Sequence, residues 1–368
     1  TASINIFYES FLLKKLSNVI EGKEQFKIYL RKIGSGEQTS NGLSREESAD
    51  ALKLILEAKA SPAQIGAFMI AHRIRRPEPQ ELAGMIDTYG KLGPTLTSKQ
   101  DHRRPVCFGM PFDGRSRTSP IYPLTTLILL SLKQPVVLHG GKRMPIKYGV
   151  TTTELFEAIG LKLTGLTLGK VQACFNNHGL AVIHLADHFT LAEKLTSYRD
   201  EIGKRPPLAS MELIWSAHQG KHLLISGFVH PPTERRAWKA LEILGEKDLI
   251  SIKGLEGSTD LPISRACITG RVHNGKSQRI ILHPRDHNCS GKDLEWQNLD
   301  KWREHALKAL GNQGPLKQPL LWNAGVYLWF SGNSDSIEDG ISKAEECLSS
   351  GSAQATLEQL IHWEKNSI

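Results

Sequence analysis

Between Arg103 and Lys147 the chain repeats one local pattern, and that pattern restricts the fold more than any other stretch. Pro105-Val106-Cys107-Phe108 is a short apolar run that breaks at Gly109-Met110-Pro111-Phe112-Asp113-Gly114. A long apolar segment, Ile121 to Leu132, follows, and then a second short run, Pro135 to Leu138, which ends in His139-Gly140-Gly141-Lys142-Arg143. Strand, glycine loop, helix, strand, glycine loop is the order of a parallel α/β unit. Both loops then lie at the carboxyl ends of neighbouring strands, where such sheets bind ligands. The stretch carries eight Lys or Arg against one acid, Asp113. Freed backbone amides beside that much positive charge suit an anion, and phosphate is the usual one. An ordinary turn next to a basic surface is the plainer alternative, but a turn alone does not need Arg115 and Arg117.

The flanking sequence divides the chain in two. Residues 1 to about 92 read as all-helical, beginning with an amphipathic pattern at Phe11, Leu12, Leu16, Val19 and Ile20. Ser44 followed by Glu47 is a capping box, and Ser61-Pro62 and Pro77-Glu78-Pro79 each start a further helix. Ser98 to Asp101 is the expected linker, which gives domains at 1–98 and 104–368. Beyond 104, β-prone runs at Val136–Leu138, Leu180–Ile183, Leu223–Ser226 and Leu249–Ile252 alternate with helical spacing, as in βαβ units and a mostly parallel sheet. Residues 262–290 read as an irregular β-rich insert, and helices from Pro319 onward close the chain.

Composition narrows the function classes. No apolar run reaches the ~18 residues of a membrane span. The opening Thr1-Ala2-Ser3-Ile4-Asn5 has no basic region before an apolar core, so no signal peptide is expected. Five scattered cysteines suit reduced thiols in a cytosol. A net charge of +8 favours a polyanionic partner. His283-Pro284-Arg285-Asp286-His287-Asn288-Cys289 matches no standard zinc spacing. Arg235 and Arg236, at a helix start, fit either a solvated face or a phosphate contact.

Taken together these motifs resemble the anthranilate phosphoribosyltransferase family, one of the nucleoside-phosphorylase-like glycosyltransferases. The resemblance rests on Leu43-Ser44-Arg45-Glu46-Glu47, Ala60 to Phe68, Trp322-Asn323-Ala324-Gly325, Ser336 to Gly340 and Ser349 to Ala353, in the right order over residues 26–365. It implies a small helical domain, a larger α/β domain and a site in the cleft between them. Against the family's Gly-Thr-Gly-Gly-Asp-Gly diphosphate loop, only Gly109, Asp113 and Gly114 match. Pro111 has no amide to donate, and Met110 and Phe112 obstruct close approach of the backbone. The Lys-His-Gly-Asn-Arg loop matches at His139 and Gly140, with Lys142 and Arg143 as a basic pair, while its leading lysine is Leu138. The paired acids that hold magnesium in the family fall near Asp260, with one carboxylate missing. Arg199 matches the arginine that grips the aromatic acid.

The departures, with Asp113-Gly114-Arg115 and Val229-His230-Pro231, are similar to the sister branch that keeps this fold, binds nucleic acid and lacks the transferase reaction. The expectation is therefore a basic cleft that binds nucleic acid or another phosphorylated ligand, in a homodimer formed through the N-terminal helical domain. The alternative is an active Mg²⁺-dependent phosphoribosyltransferase acting on anthranilate or a related acceptor in tryptophan biosynthesis. Mg²⁺ belongs to that alternative only.

Overall fold

The computed structural model describes residues 19–36, 39–99 and 103–367. The amphipathic pattern at Phe11 to Leu16 and the linker residues Gln100 and Asp101 lie outside them. Helical residues 19–34 are followed by helices Arg45–Leu56, Pro62–Arg75 and Pro79–Leu92. The boxes at Ser44/Glu47 and Ser61/Gln64 both close, each hydroxyl accepting from the third-residue amide while the side chain there accepts from the cap. Gly84 sits where Arg45–Leu56 crosses Pro79–Leu92, and a Cβ there would come within 2.1 Å of the Arg45 carbonyl oxygen. Only glycine allows that approach.

The second domain is built on a seven-stranded sheet. In chain order the strands are β1 (Leu96–Thr97), β2 (Val106–Gly109), β3 (Val136–Gly140), β4 (Leu180–His184) and β5 (His218–Gln219). Then come β6 (Leu223–Gly227), β7 (Asp248–Ile252), β8 (Cys267–His273) and β9 (Lys276–Leu282). The sheet order is β4-β3-β2-β6-β7-β8-β9, and β1 pairs separately with β5. From β4 to β7 every pairing is parallel, so the loops after β2, β3, β6 and β7 share one edge. Helices cover both faces, which explains why strands such as Val136–Gly140 are buried throughout.

Helix Tyr122–Ser131 fills the expected Ile121–Leu132 segment. Residues 262–290 are a correction: they hold no irregular insert but a regular antiparallel hairpin, β8 on β9, that extends the sheet beyond β7. The chain closes with helices Leu299–Leu310, Lys317–Ser331, Ile337–Ser349 and Ser352–Ser367. No helix among the described residues is long and apolar enough to cross a membrane. All five cysteines are buried and free.

Candidate functional site

The loop after β2 is the expected anion cradle, and its own side chains fill it. Met110 and Phe112 turn inward, 4% and 3% exposed. Gly114 has φ +76°, and a Cβ there would lie 2.5 Å from the Val150 carbonyl oxygen. The loop is fastened at that point, since Arg115 and Val150 exchange backbone hydrogen bonds of 3.2 and 2.8 Å. What remains between Met110, Phe112, Arg115, His139, Gly140 and Ser258 is a pocket of about 10 Å³. That volume holds at most one water. A diphosphate has no room.

Arg115 is not a free phosphate contact, which corrects the sequence expectation. Its guanidinium is buried and donates to Asp260 Oδ2 at 2.7 Å, to Ser258 Oγ at 2.8 Å and to Glu256 Oε1 at 3.3 Å. Thr118 takes its remaining donor. Glu256 in turn accepts from the amides of Ser116, Arg117 and Thr118 at 2.9 to 3.2 Å, with Lys147 Nζ at 3.6 Å. Burial alone would raise the Glu256 carboxyl, but Arg115, these amides and Lys147 hold it down at about 2.

Glu256 is the carboxylate sequence reasoning missed. Two acids converge, Glu256 and Asp260, not one. Arg115 bridges both, Lys147 adds a second charge at Glu256, and Asp260 also accepts from the Ile121 amide at 2.8 Å. A divalent cation placed between them would face Arg115 and Lys147 at close range. The acids therefore do not fit Mg²⁺ while Arg115 stays in place.

The remaining candidates separate. Gly109 ends β2 against Leu213, whose carbonyl oxygen would stand 2.0 Å from an added Cβ. His139 is a second correction: it is buried against Trp215, its Nε2 accepts from the Ala217 amide at 3.0 Å, and burial lowers it to about 4. The neutral imidazole borders the small pocket with no positive charge to offer an anion. Gly140 borders the filled pocket. Lys142 and Arg143 are exposed, and Arg143 pairs with Glu154 at 2.8 Å. Arg199 is buried in an ion pair with Glu212, and both border the open cleft described next. Asp113 is buried and paired with Arg205 at 2.6 Å, whereas Arg117 is 77% exposed.

Open space lies next door. A cleft of about 490 Å³ separates the helical domain from the loops after β2, β6 and β7. Arg73 and Arg76 come from the helical wall, and Arg205, His230 and Arg236 from the other. Its acids are largely neutralised: Asp113 by Arg205, Glu212 by Arg199 and Glu256 by Arg115. Partial burial, then the charges of Arg76 and Arg235, pull the Arg236 guanidinium below its ordinary range. Like charges are thus crowded across the cleft. Of the sequence's open alternatives for Arg236, this placement is the cleft wall.

A helical bundle joined to a parallel α/β sheet, with a cleft at the strand ends, is the architecture of a two-domain glycosyltransferase. The chain belongs to the glycosyl transferase family: the helical bundle domain matches residues 27–91 and the a/b domain residues 121–354. It is 26% identical over 326 residues to the anthranilate phosphoribosyltransferase of Laribacter hongkongensis, covering 87% of this chain and 94% of that one. The enzyme of the same name from Dechloromonas aromatica is 24% identical, over 86% and 93%. Among solved structures, anthranilate phosphoribosyltransferase from Thermus thermophilus superposes with a TM-score of 0.75 at 20% identity, over 91% of this chain and 99% of that one. The Saccharomyces cerevisiae enzyme in complex with PRPP and Mg gives 0.77 at 14% identity, over 94% and 99%. At such identities the structural likeness establishes the fold alone.

Proposed function

We propose that the protein binds a phosphorylated polyanion, nucleic acid in the first place, in the cleft between its two domains. The observation that carries this reading is the contrast between two adjacent spaces. The strand-end pocket is filled to about 10 Å³ by the protein's own Met110, Phe112 and Arg115. The neighbouring cleft of about 490 Å³ stays open and presents Arg73, Arg76 and Arg236, with Arg205 beside its partner Asp113. Arginines spread over both walls suit successive phosphates along a strand. Exposed Ile74 and Val229, lining the same cleft, offer apolar contact to bases.

A second reading has its own support. The relatives named above all carry the name of a transferase and match this chain nearly end to end, and none is named for binding nucleic acid. The comparisons favour this alternative over the first reading. Phosphoribosyl transfer here requires Arg115 to release Glu256 and Asp260, and Phe112 to leave the pocket. When bound, Mg²⁺ would neutralise the diphosphate leaving group.

Calorimetry separates the two. Phosphoribosyl pyrophosphate is titrated with and without Mg²⁺, beside a single-stranded oligonucleotide at two salt concentrations. The first reading expects salt-sensitive oligonucleotide binding and no saturable sugar-phosphate binding. Magnesium-dependent binding of phosphoribosyl pyrophosphate would overturn it. The homodimer belongs to the proposal too, supported by exposed Ile20 and Ile28 on helical residues 19–34, and light scattering after size exclusion tests it. So does a cytosolic location, which suits five free thiols.

A further inference from the structure

At the amino ends of the strands, three side chains of metal-ligating type meet in the interior. Cys107 lies in β2, His218 in β5 and His222 just before β6, and all three are buried. Their ligand atoms lie within 4.8 Å of one another. Tetrahedral Zn–S and Zn–N bonds put ligand atoms ~3.3–3.7 Å apart, so closing on an ion takes a shift of about 1 Å.

Each histidine is anchored through the nitrogen it does not need. His218 Nε2 lies 2.8 Å from Ser98 Oγ, and His222 Nδ1 lies 2.9 Å from the Gly220 carbonyl oxygen. Outer partners of this kind fix ring orientation and tautomer in metal sites. With His222 Nδ1 donating to Gly220, its Nε2 lone pair faces the Glu246 carboxylate at 3.6 Å, an unfavourable pairing unless a cation or proton lies between. With His218 Nε2 donating to Ser98, its Nδ1 lone pair has for company only His222 Nδ1, 3.5 Å away and already engaged. A thiol and two imidazoles thus meet, with the Glu246 carboxylate beside His222.

We propose that Cys107, His218 and His222 form a three-ligand zinc site whose fourth position is left to a water. The spacing from His218 to His222 suits two imidazoles on one ion, and a thiolate with imidazoles is a borderline-soft set that favours Zn²⁺ over Mg²⁺. On binding, Cys107 releases one proton to solvent and forms the S–Zn bond, while the histidines bind neutral. The thiolate offsets one charge of the ion, and the Glu246 carboxylate beside His222 offsets part of the other. Its position gives it a task. β5 pairs with β1 at Leu96↔His218, and Ser98 follows β1 where the chain crosses between domains. The ion would pin that crossing to the sheet.

The test uses the full chain, stripped of metal and titrated with Co²⁺ and then Zn²⁺. The expected result is one Co²⁺ per chain with a thiolate-to-cobalt charge-transfer band, lost on displacement by Zn²⁺. Cys107→Ser should abolish the band, and Ser98→Ala should weaken affinity about 10-fold or more through the outer contact. Lack of saturable binding at one equivalent, or a band that survives Cys107→Ser, would overturn the site. If Cys107→Ser does not fold, X-ray absorption on the zinc-loaded wild-type chain decides. One sulfur at ~2.3 Å supports the site, and a shell of nitrogen and oxygen alone overturns it.

Discussion

At position 115 a guanidinium stands between two carboxylates, where a cation is otherwise needed. Arg115→Met should leave Asp260 buried without a cation partner and Glu256 held only by Lys147, Arg117 and backbone amides, at a cost of about 3–5 kcal/mol. Millimolar Mg²⁺ should then raise the melting temperature of the variant and leave that of the wild type unmoved. Equal responses in the two chains would mean that the acids do not form a latent cation site. Glu81 offers a residue-scale test in the helical domain. It is fully buried, paired with Arg75, and accepts from the amides of Leu43 at 2.9 Å and Glu78 at 2.6 Å. Burial opposes its ionisation, but His72 and these amides bring it from 4.5 down to about 2. The unfolded chain therefore takes up its proton first as pH falls. This carboxylate's contribution is whole above about pH 4.5, fades as pH falls to about 2, and amounts to ~3 kcal/mol. Glu81→Gln should be less stable at pH 7 and should show a shallower acid limb in urea titrations between those pH values. Residue identities are legible at this scale and their partners are not. Arg199 matches a substrate-gripping arginine, but Glu212, which closes upon it in the interior, is set by how the chain folds.

Elements are easier to read, because caps and periodicity are local. Ser61 closes a box with Gln64 as its spacing implies, and Ser61→Ala should cost about 1 kcal/mol in urea denaturation, as should Ser44→Ala. A loss near zero for both would mean that the caps are satisfied by water. The parallel strands are legible as short apolar runs, since strands covered on both faces show no polar alternation. The β8–β9 hairpin escapes that reading although its signal is present. Asn274-Gly275 is the two-residue turn, with φ of +47° and +75°, and Asn-Gly is the preferred pair for that geometry. The loop after β2 shows its lost glycines and amide in the sequence. That Phe112 fills it, instead of leaving it merely weakened, depends on packing from Thr151, Ser258 and other distant residues.

For the whole molecule, part of the basic charge visible in composition lies at the cleft, though not on the residues first expected to carry it. Arg115 is spent internally and Arg199 and Arg205 are paired with acids at the cleft, while Arg73, Arg76 and Arg236 line the opening. The double variant Arg73→Glu, Arg236→Glu should weaken oligonucleotide binding and flatten its salt dependence, by ~0.7 in log–log slope for each phosphate of a single strand that is no longer neutralised. Arg117→Glu alone, on the exposed loop, should do less. Equal weakening by both would move the binding face to the loop. The two walls belong to different domains, with Arg76 just past helix Pro62–Arg75 and Arg236 within helix Pro231–Ile243. Any inward swing of the domains must therefore push like charges together. An empty cleft resists shutting as a compressed spring does, and a polyanion laid along it turns the same charges into a latch. Grip and gape are then one electrostatic quantity seen with and without a guest, and added salt slackens both.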